Sequence, residues 1–398
     1  MKIFKFELKR FILNKRNRYL LTLISVLVVF YAAYSTISLL NLFSRSYLTE
    51  LSQTAQSNEK SLTDSIKSFQ DSIQSSKNQS EISNNNTSIY YMNKLKILYH
   101  SQVQVLETKN INRYYDLQKQ IDIITLKENQ NSMPQSGLIQ QNFELKQDIK
   151  YIQLVQKRHL DFEIMPSVQA HAFGNFQQQF VPILSSALFI VLFASMVSIT
   201  VASGYEANEN RWYRFADIDL KKNLIVKVFA GTVATYVWLV VASIAYFIVI
   251  ATVNGVGSWN YPAYLGDVNV TTGFMLTNIS ISNGILDIGC VFYLFFVLLF
   301  LASLGALISV FVKRSMVVFG VISLLVLGYS MIENISWLVP FQPYIPMSYF
   351  SPLKLFGNPT SFAGKYSVLV GVVYLTLLSV IFMLIAGFVI KNQRMRKL

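Results

Sequence analysis

The chain has a single cysteine, Cys290, and three histidines, His100, His159 and His171. No disulfide can close within it, and no cysteine-rich metal centre can form. The histidines are scattered and fall outside the long apolar stretches, so no metal site is expected from them. Charge is scarce as well: 14% of residues are charged, against roughly 25% in a soluble domain. Neither glycine nor proline occurs in the first 133 residues, which favours long uninterrupted helices. Chemical motifs are also missing. There is no HExxH and no GxSxG, and no phosphate-binding GxxxxGK followed by Ser or Thr. The nearest fragment, Gly364–Lys365, lacks the earlier glycine and the hydroxyl residue. Asp287 and Glu333 are the acids nearest the bilayer, and both sit near the ends of apolar stretches. A charge at the centre of a membrane helix costs roughly 2.5–3.5 kcal/mol on insertion scales, so a proton relay should show more of them. These absences argue against an ion-coupled transporter and against an enzyme.

What is abundant is apolar: 53% of residues are hydrophobic. A membrane helix needs about 20 consecutive apolar residues. Six stretches meet that length: Tyr19–Phe43, Phe180–Ser203, Val228–Val253, Ile285–Val312, Met316–Val339 and Tyr366–Ile390. A large soluble core is the alternative, but soluble helices carry an apolar stripe rather than an apolar circumference. The first stretch, 19–43, follows a basic lead like that of a signal peptide. Its apolar part outruns the usual 7–15 residues and lacks a small-residue cleavage site, so it reads as an uncleaved first span. The expected fold is an all-α membrane protein with six transmembrane helices.

Basic residues set the orientation, because Lys and Arg collect on cytoplasmic loops. With both termini, the Gly204–Lys227 stretch and the Lys313–Arg314 turn inside, the inner segments hold 18 basic and 5 acidic residues. The remainder holds 16 of each, so the whole net charge of +13 lies on one side. An even number of spans fits two inner termini. Acidic lipid headgroups beside basic ends account for the charge without nucleic acid.

Residues 1–18 read as an interfacial amphipathic helix. Phe4, Leu8, Phe11 and Ile12 share a face, with Glu7 beside them, while Lys2, Lys5 and Lys9 share another. Phe6 and Leu13 blur the separation, and a basic flank that only enforces topology is the alternative. Residues 44–179 form an extracytoplasmic domain, rich in Gln, Ser, Asn and Lys. Leu62, Ile66, Phe69, Ile73 and then Tyr114, Leu117, Ile121, Ile124 recur at helical spacing. Polar stretches at Asn78–Ser88 and Asn129–Gly137 divide it into three expected helical arms, an arm of about 40 residues reaching about 60 Å. A loosely ordered polar linker is the alternative. The Asn-x-Ser/Thr triplets, such as Asn85–Thr87 and Asn269–Thr271, read as chance in an Asn-rich chain. Residues 180–398 carry the other five spans, with a shorter outer loop at Gly255–Asn283. Pro340–Lys365 holds five of the nine prolines, plus Tyr344, Tyr349, Phe350 and Phe356. It reads as re-entrant or interfacial pieces before the sixth span.

The Gly204–Lys227 stretch interrupts two charge-free runs. It carries Glu206, Glu209, Arg211, Arg214, Asp217, Asp219, Lys221, Lys222 and Lys227, interleaved with Trp212, Tyr213 and Phe215. Arg and aromatic residues dominate protein contacts, so the loop reads as a docking site. A place for the rings in the headgroup belt is the alternative, and Asp219 suits a helix cap.

This order of parts resembles the permease subunits of bacterial ABC exporters of the ABC-2 type. The matching features are FELKRFILNKRN before the first span, Glu206 and Glu209 followed by Lys221, Lys222 and Lys227 before the third, and Pro340–Pro359 before the sixth. The resemblance covers nearly all the membrane part and none of the extracytoplasmic domain in detail. It implies a bacterial cell-membrane protein with both termini cytoplasmic. It also implies two copies of a separate ABC ATPase subunit and a second permease chain, identical or not. No cofactor is expected on this chain; ATP and Mg would sit on the partner ATPase. Glu206, Glu209, Arg211, Trp212, Tyr213, Arg214, Phe215 and Asp219 would then form the ATPase-coupling loop. The function expected is export of an amphipathic or lipophilic substrate, such as a peptide or antibiotic. The alternative is a membrane sensor or scaffold whose extracytoplasmic helices bind a ligand or protein.

Overall fold

Helix follows helix wherever the apolar and glycine-free stretches run. The computed structural model describes residues 2–42, 46–75, 78–131, 136–162, 171–207, 209, 213, 219–263, 268–269, 274–275, 281–357 and 367–395. The N-terminal segment divides at Asn14 into α1 (Lys2–Leu13) and α2 (Lys15–Leu42). Asn14 Oδ1 accepts from the Arg16 N–H at 3.0 Å, and Asn17 Nδ2 donates to the Phe11 carbonyl at 3.0 Å. Side-chain oxygen at a helix start satisfies an otherwise orphaned N–H, so the two asparagines make the corner.

Four helices follow, not three arms: α3 (Ser46–Ser75), α4 (Gln79–Glu107), α5 (Ile111–Asn131) and α6 (Ser136–Lys157). Asn78 caps α4, accepting from Ser80 N–H at 3.1 Å, and the polar stretch behind it continues as helix. The unforeseen break falls at Thr108–Asn110, where Lys109 takes a left-handed φ of 55°. The Tyr114, Leu117 and Ile121 stripe is buried as its spacing predicts. A satellite core of Leu106, Tyr114, Tyr115, Tyr151, Ile152 and Val155 closes the base of this arm. Tyr261, from the loop after the next long helix, enters that core, and Arg158 Nη1 donates to the Asn260 carbonyl at 2.5 Å. The arm is therefore seated on the membrane part.

The second expected span, Phe180–Ser203, is broken. A short α7 (Ala172–Asn175) passes into a π-helical turn (Phe176–Phe180), then α8 (Val181–Leu184), α9 (Ala187–Val197) and α10 (Thr200–Glu206). Ala172–Leu184 and Ala187–Val197 meet at 61°. Pro182 lies in the first turn of α8, Ser185 turns its hydroxyl back to the Val181 carbonyl, and Ser186 caps α9. Apolarity alone does not reveal such a bend; the serines and the proline cause it.

The remaining long helices are α11 (Leu220–Asn254), α12 (Asn283–Val312), α13 (Ser315–Ile332) and α15 (Val368–Met395). A two-residue antiparallel ladder, Val268–Asn269 with Phe274–Met275, lies between α11 and α12. The fifth expected span ends early, at Ile332 rather than Val339. The Pro340 and Pro343 rings favour 3-10 geometry over Ser336–Tyr344, then Pro346–Tyr349, and α14 (Pro352–Gly357) follows. Tyrosine hydroxyls hold this segment in place. Tyr293 donates to the Tyr349 carbonyl at 2.9 Å and Tyr374 to the Tyr344 carbonyl at 2.7 Å. The end of the expected piece, 358–366, lies outside the described residues.

Among the described residues five helices are long and apolar enough to cross a membrane, or up to six if the bent pair is one span. Their apolar residues face outward as well as inward: Val237, Val241, Ile244 and Ile248 on α11, and Leu369, Leu377 and Phe388 on α15, are all exposed. That apolar circumference suits lipid rather than water. α12 is the most enclosed span and packs on α11, α13 and α15. Beside it, Asn175 of α7 accepts from Tyr246 of α11 at 2.5 Å and donates to Ser35 of α2 at 3.1 Å. Tyr31 of α2 donates to Gln179 of the π-turn at 2.9 Å. Such polar ties join helices where lipid supplies no hydrophobic drive.

Candidate functional site

α11 is 35 residues long, or about 52 Å at 1.5 Å per residue, against a hydrocarbon core of about 30 Å. It therefore has length to extend beyond the core. Its start is the end of the charged stretch: Asp219 caps it, accepting from Lys221 N–H at 3.0 Å. The stretch is thus helical at both ends, through Gly204–Glu206 in α10 and Leu220–Lys227 in α11.

α1 lies against this extension. Phe11 is buried beside Gly231, and the Phe4 ring lies 6.0 Å from that of Phe229. Leu8 is half-buried, while Phe6, Ile12 and Leu13 are exposed. The expected lipid-facing residues Phe4 and Phe11 therefore meet protein, and Ile12 parts from them. Glu7 and Arg10, one turn apart, share the buried side.

Four elements converge here. The Tyr213 hydroxyl donates to Glu7 Oε1 at 2.5 Å and accepts from Arg10 Nη1 at 3.0 Å. Arg10 Nη2 also pairs with Glu209 Oε1. Lys227 Nζ holds the other Glu209 oxygen at 2.8 Å and lies 4.9 Å from the centre of the Tyr213 ring. Two carboxylates thus meet two cations, with one phenol between them. Glu7, Tyr213 and Lys227 are almost fully buried, and a closed network is the arrangement in which buried charge is tolerable. Burial first, and the Glu7 carboxylate next, push the Tyr213 phenol up to about 12, so it keeps its proton and remains a donor. Gly204 lets the network close: a Cβ there would lie 2.6 Å from Lys227 Nζ and 2.8 Å from Glu209 Oε2. A cavity of about 20 Å³ touches Arg16, Asn17, Thr200, Ser203 and Lys227, room for about one water molecule.

Glu206 makes a separate joint. Its Oε1 accepts from Ser315 N–H at 2.8 Å and its Oε2 from Ser315 Oγ at 2.6 Å, which caps α13. Those bonds hold its carboxyl below the usual range, and they tie the end of α10 to the start of α13.

Of the residues the sequence singled out, Glu7, Glu209 and Tyr213 come together, and Phe4, Leu8 and Phe11 flank them. Glu206 and Asp219 serve as caps. Arg211, Trp212, Arg214 and Phe215 lie outside the described residues. Sequence reasoning missed Arg10 and Lys227 as the partners. The available signal was Glu7, a lone acid in a basic helix with Arg10 at i+3, and Lys227, the last charge before a long apolar run. Among the described residues no group of three His, Cys, Asp or Glu side chains could hold a metal. What the arrangement can do is mechanical: it ties α1, Glu209, Tyr213 and the head of α11 together. No family model matches the chain, and no curated protein or solved structure matches it either.

Proposed function

We propose that the chain is the membrane-spanning permease subunit of an ATP-driven exporter of the ABC-2 type. In this reading the bent pair is the second of six spans, α3–α6 form the extracytoplasmic domain, and both termini are cytoplasmic in a bacterial cell membrane. The observation that carries it is the charged joint of Glu7, Arg10, Glu209, Tyr213 and Lys227. A partner docked on the segment after α10 would pull on α1 and on α11 together, and α11 continues as a membrane span. The partners are two ATPase subunits, which would hold ATP and Mg, and a second permease chain. The apolar spans suit an amphipathic or lipophilic cargo.

The test is affinity purification of the full chain in mild detergent, with bound ATPase measured per permease. Trp212→Ala with Arg214→Ala should leave the permease in the membrane. Loss of a contact worth at least about 2 kcal/mol should lower bound ATPase about thirtyfold. If these rings belong to the headgroup belt, membrane levels change and the ratio stays the same; that ratio, with unchanged transport, would remove the segment from the mechanism. Orientation is tested separately. Cysteines placed at Ser75 and Ser258 should react with an impermeant thiol reagent in intact cells, and one at Asn210 should not. Labelling at Asn210 would reverse the assignment.

A second reading, a membrane sensor or scaffold, draws on the seating of Tyr261 and Asn260 at the base of the arm. A ligand on α3–α6 would reach α11 through that loop. Co-purification with a histidine kinase and without an ATPase would favour it.

A further inference from the structure

The helical arm contains a buried carboxyl that no cation among the described residues pairs with. Asp122 of α5 is 3% exposed. Its Oδ1 accepts from Gln118 Nε2 at 2.8 Å, and Gln118 in turn accepts from the buried Gln102 of α4 at 2.9 Å. Its Oδ2 is buried with no hydrogen-bond partner. The groups that face it offer no compensation. From α4 comes the Tyr99 phenol, itself hydrogen-bonded to Asn58 of α3. From α6 comes Asp148, a solvent-exposed acid whose own neighbour is Glu144. The α3–α4 pair, Glu59 with His100 at 3.2 Å, is solvent-exposed on the histidine side and is no partner of Asp122. An ionised carboxylate in this position is desolvated and half-bonded, and the exposed second acid adds a weaker, solvent-screened opposition.

We propose that Asp122 is a proton-operated lock in the arm: its neutral carboxyl packs the α4–α5–α6 junction, and its ionisation loosens it. Burial, with Asp148 adding to it, pushes the packed Asp122 up to about 7, whereas an unfolded aspartate titrates near about 3.9. The packed arm therefore binds the proton more tightly than the open arm. Its stabilisation is complete below about pH 4 and is lost as pH rises through about 7. The inference does not depend on the transport reading, since it concerns only how the arm responds to acid.

The test is hydrogen exchange of α5 amides in the full chain in detergent, corrected for intrinsic exchange rates. Wild-type protection should be at least about tenfold greater at about pH 5.5 than at about pH 8. Asp122→Asn, which cannot ionise, should remove that slope. Asp64→Asn, on an exposed face of α3, should keep it. Should the Asn variant fail to fold, Asp122→Leu replaces it, because it needs no hydrogen bond. Equal wild-type protection at the two pH values would overturn the proposal, and so would a slope that survives in the variant.

Discussion

Lys227→Met should destabilise the protein by about 3 kcal/mol, the lower end of the cost of breaking a buried ion pair. Met keeps most of the apolar stem, so the loss reports charge rather than volume. Without Lys227, Glu209 Oε2 loses its 2.8 Å partner, and Glu7 and Glu209 must share Arg10. The amine also leaves the face of the Tyr213 ring. The variant should unfold at lower denaturant or lower temperature in detergent than the wild type. Glu209→Gln in the Lys227→Met background should restore part of the loss, because the second change removes the uncompensated charge. A double-mutant cycle separates this from two independent defects. Additive losses would mean that the two residues do not act as a pair, and the joint would reduce to ordinary packing.

Gly305→Val should have an effect of similar size by a different route. A Cβ at Gly305 would lie 2.3 Å from the Ser198 carbonyl oxygen and 2.4 Å from its Cα. Those are backbone atoms, at the break between α9 and α10, where Ser198 Oγ bonds the Ala194 carbonyl. A rotamer change cannot relieve the clash; the helices must move apart. Overpacking of this kind costs typically 1–3 kcal/mol and occasionally more, and a full Val side chain belongs at about 3 kcal/mol. Gly320 provides the control, because nothing lies within 4 Å of a Cβ there. Gly320→Val should unfold within about 0.5 kcal/mol of the wild type. Equal behaviour of the two variants would show that α10 and α12 do not approach closely at Ser198.

Residue order alone was enough for the helical class, the long apolar helices and the polar-rich helical insert between α2 and the bent pair. Those properties are local: an apolar run of sufficient length, or a stretch without glycine and proline, constrains the chain whatever lies beside it. It also pointed to Glu7, Glu209 and Tyr213 as residues worth following, because acids and rings stood out against basic or apolar surroundings. Caps were legible for the same reason, as with Asp219 before Leu220. Only the tertiary structure decided how these residues meet. The bend at Ser185–Ser186, the division of the insert at Lys109 and the early end of α13 depend on single side chains. Runs of hydropathy average over such details. The partnership of Glu7 and Arg10 with Tyr213 and Lys227 spans some 200 positions of chain. It exists because α1 packs on the head of α11, a contact made by Phe4, Phe11, Phe229 and Gly231. In the sequence those same phenylalanines read as lipid-facing, since a membrane and a protein groove are equally apolar to one amphipathic helix. Which of the two a face meets is set by shape and by the charges closing around it, and no short stretch of sequence contains both.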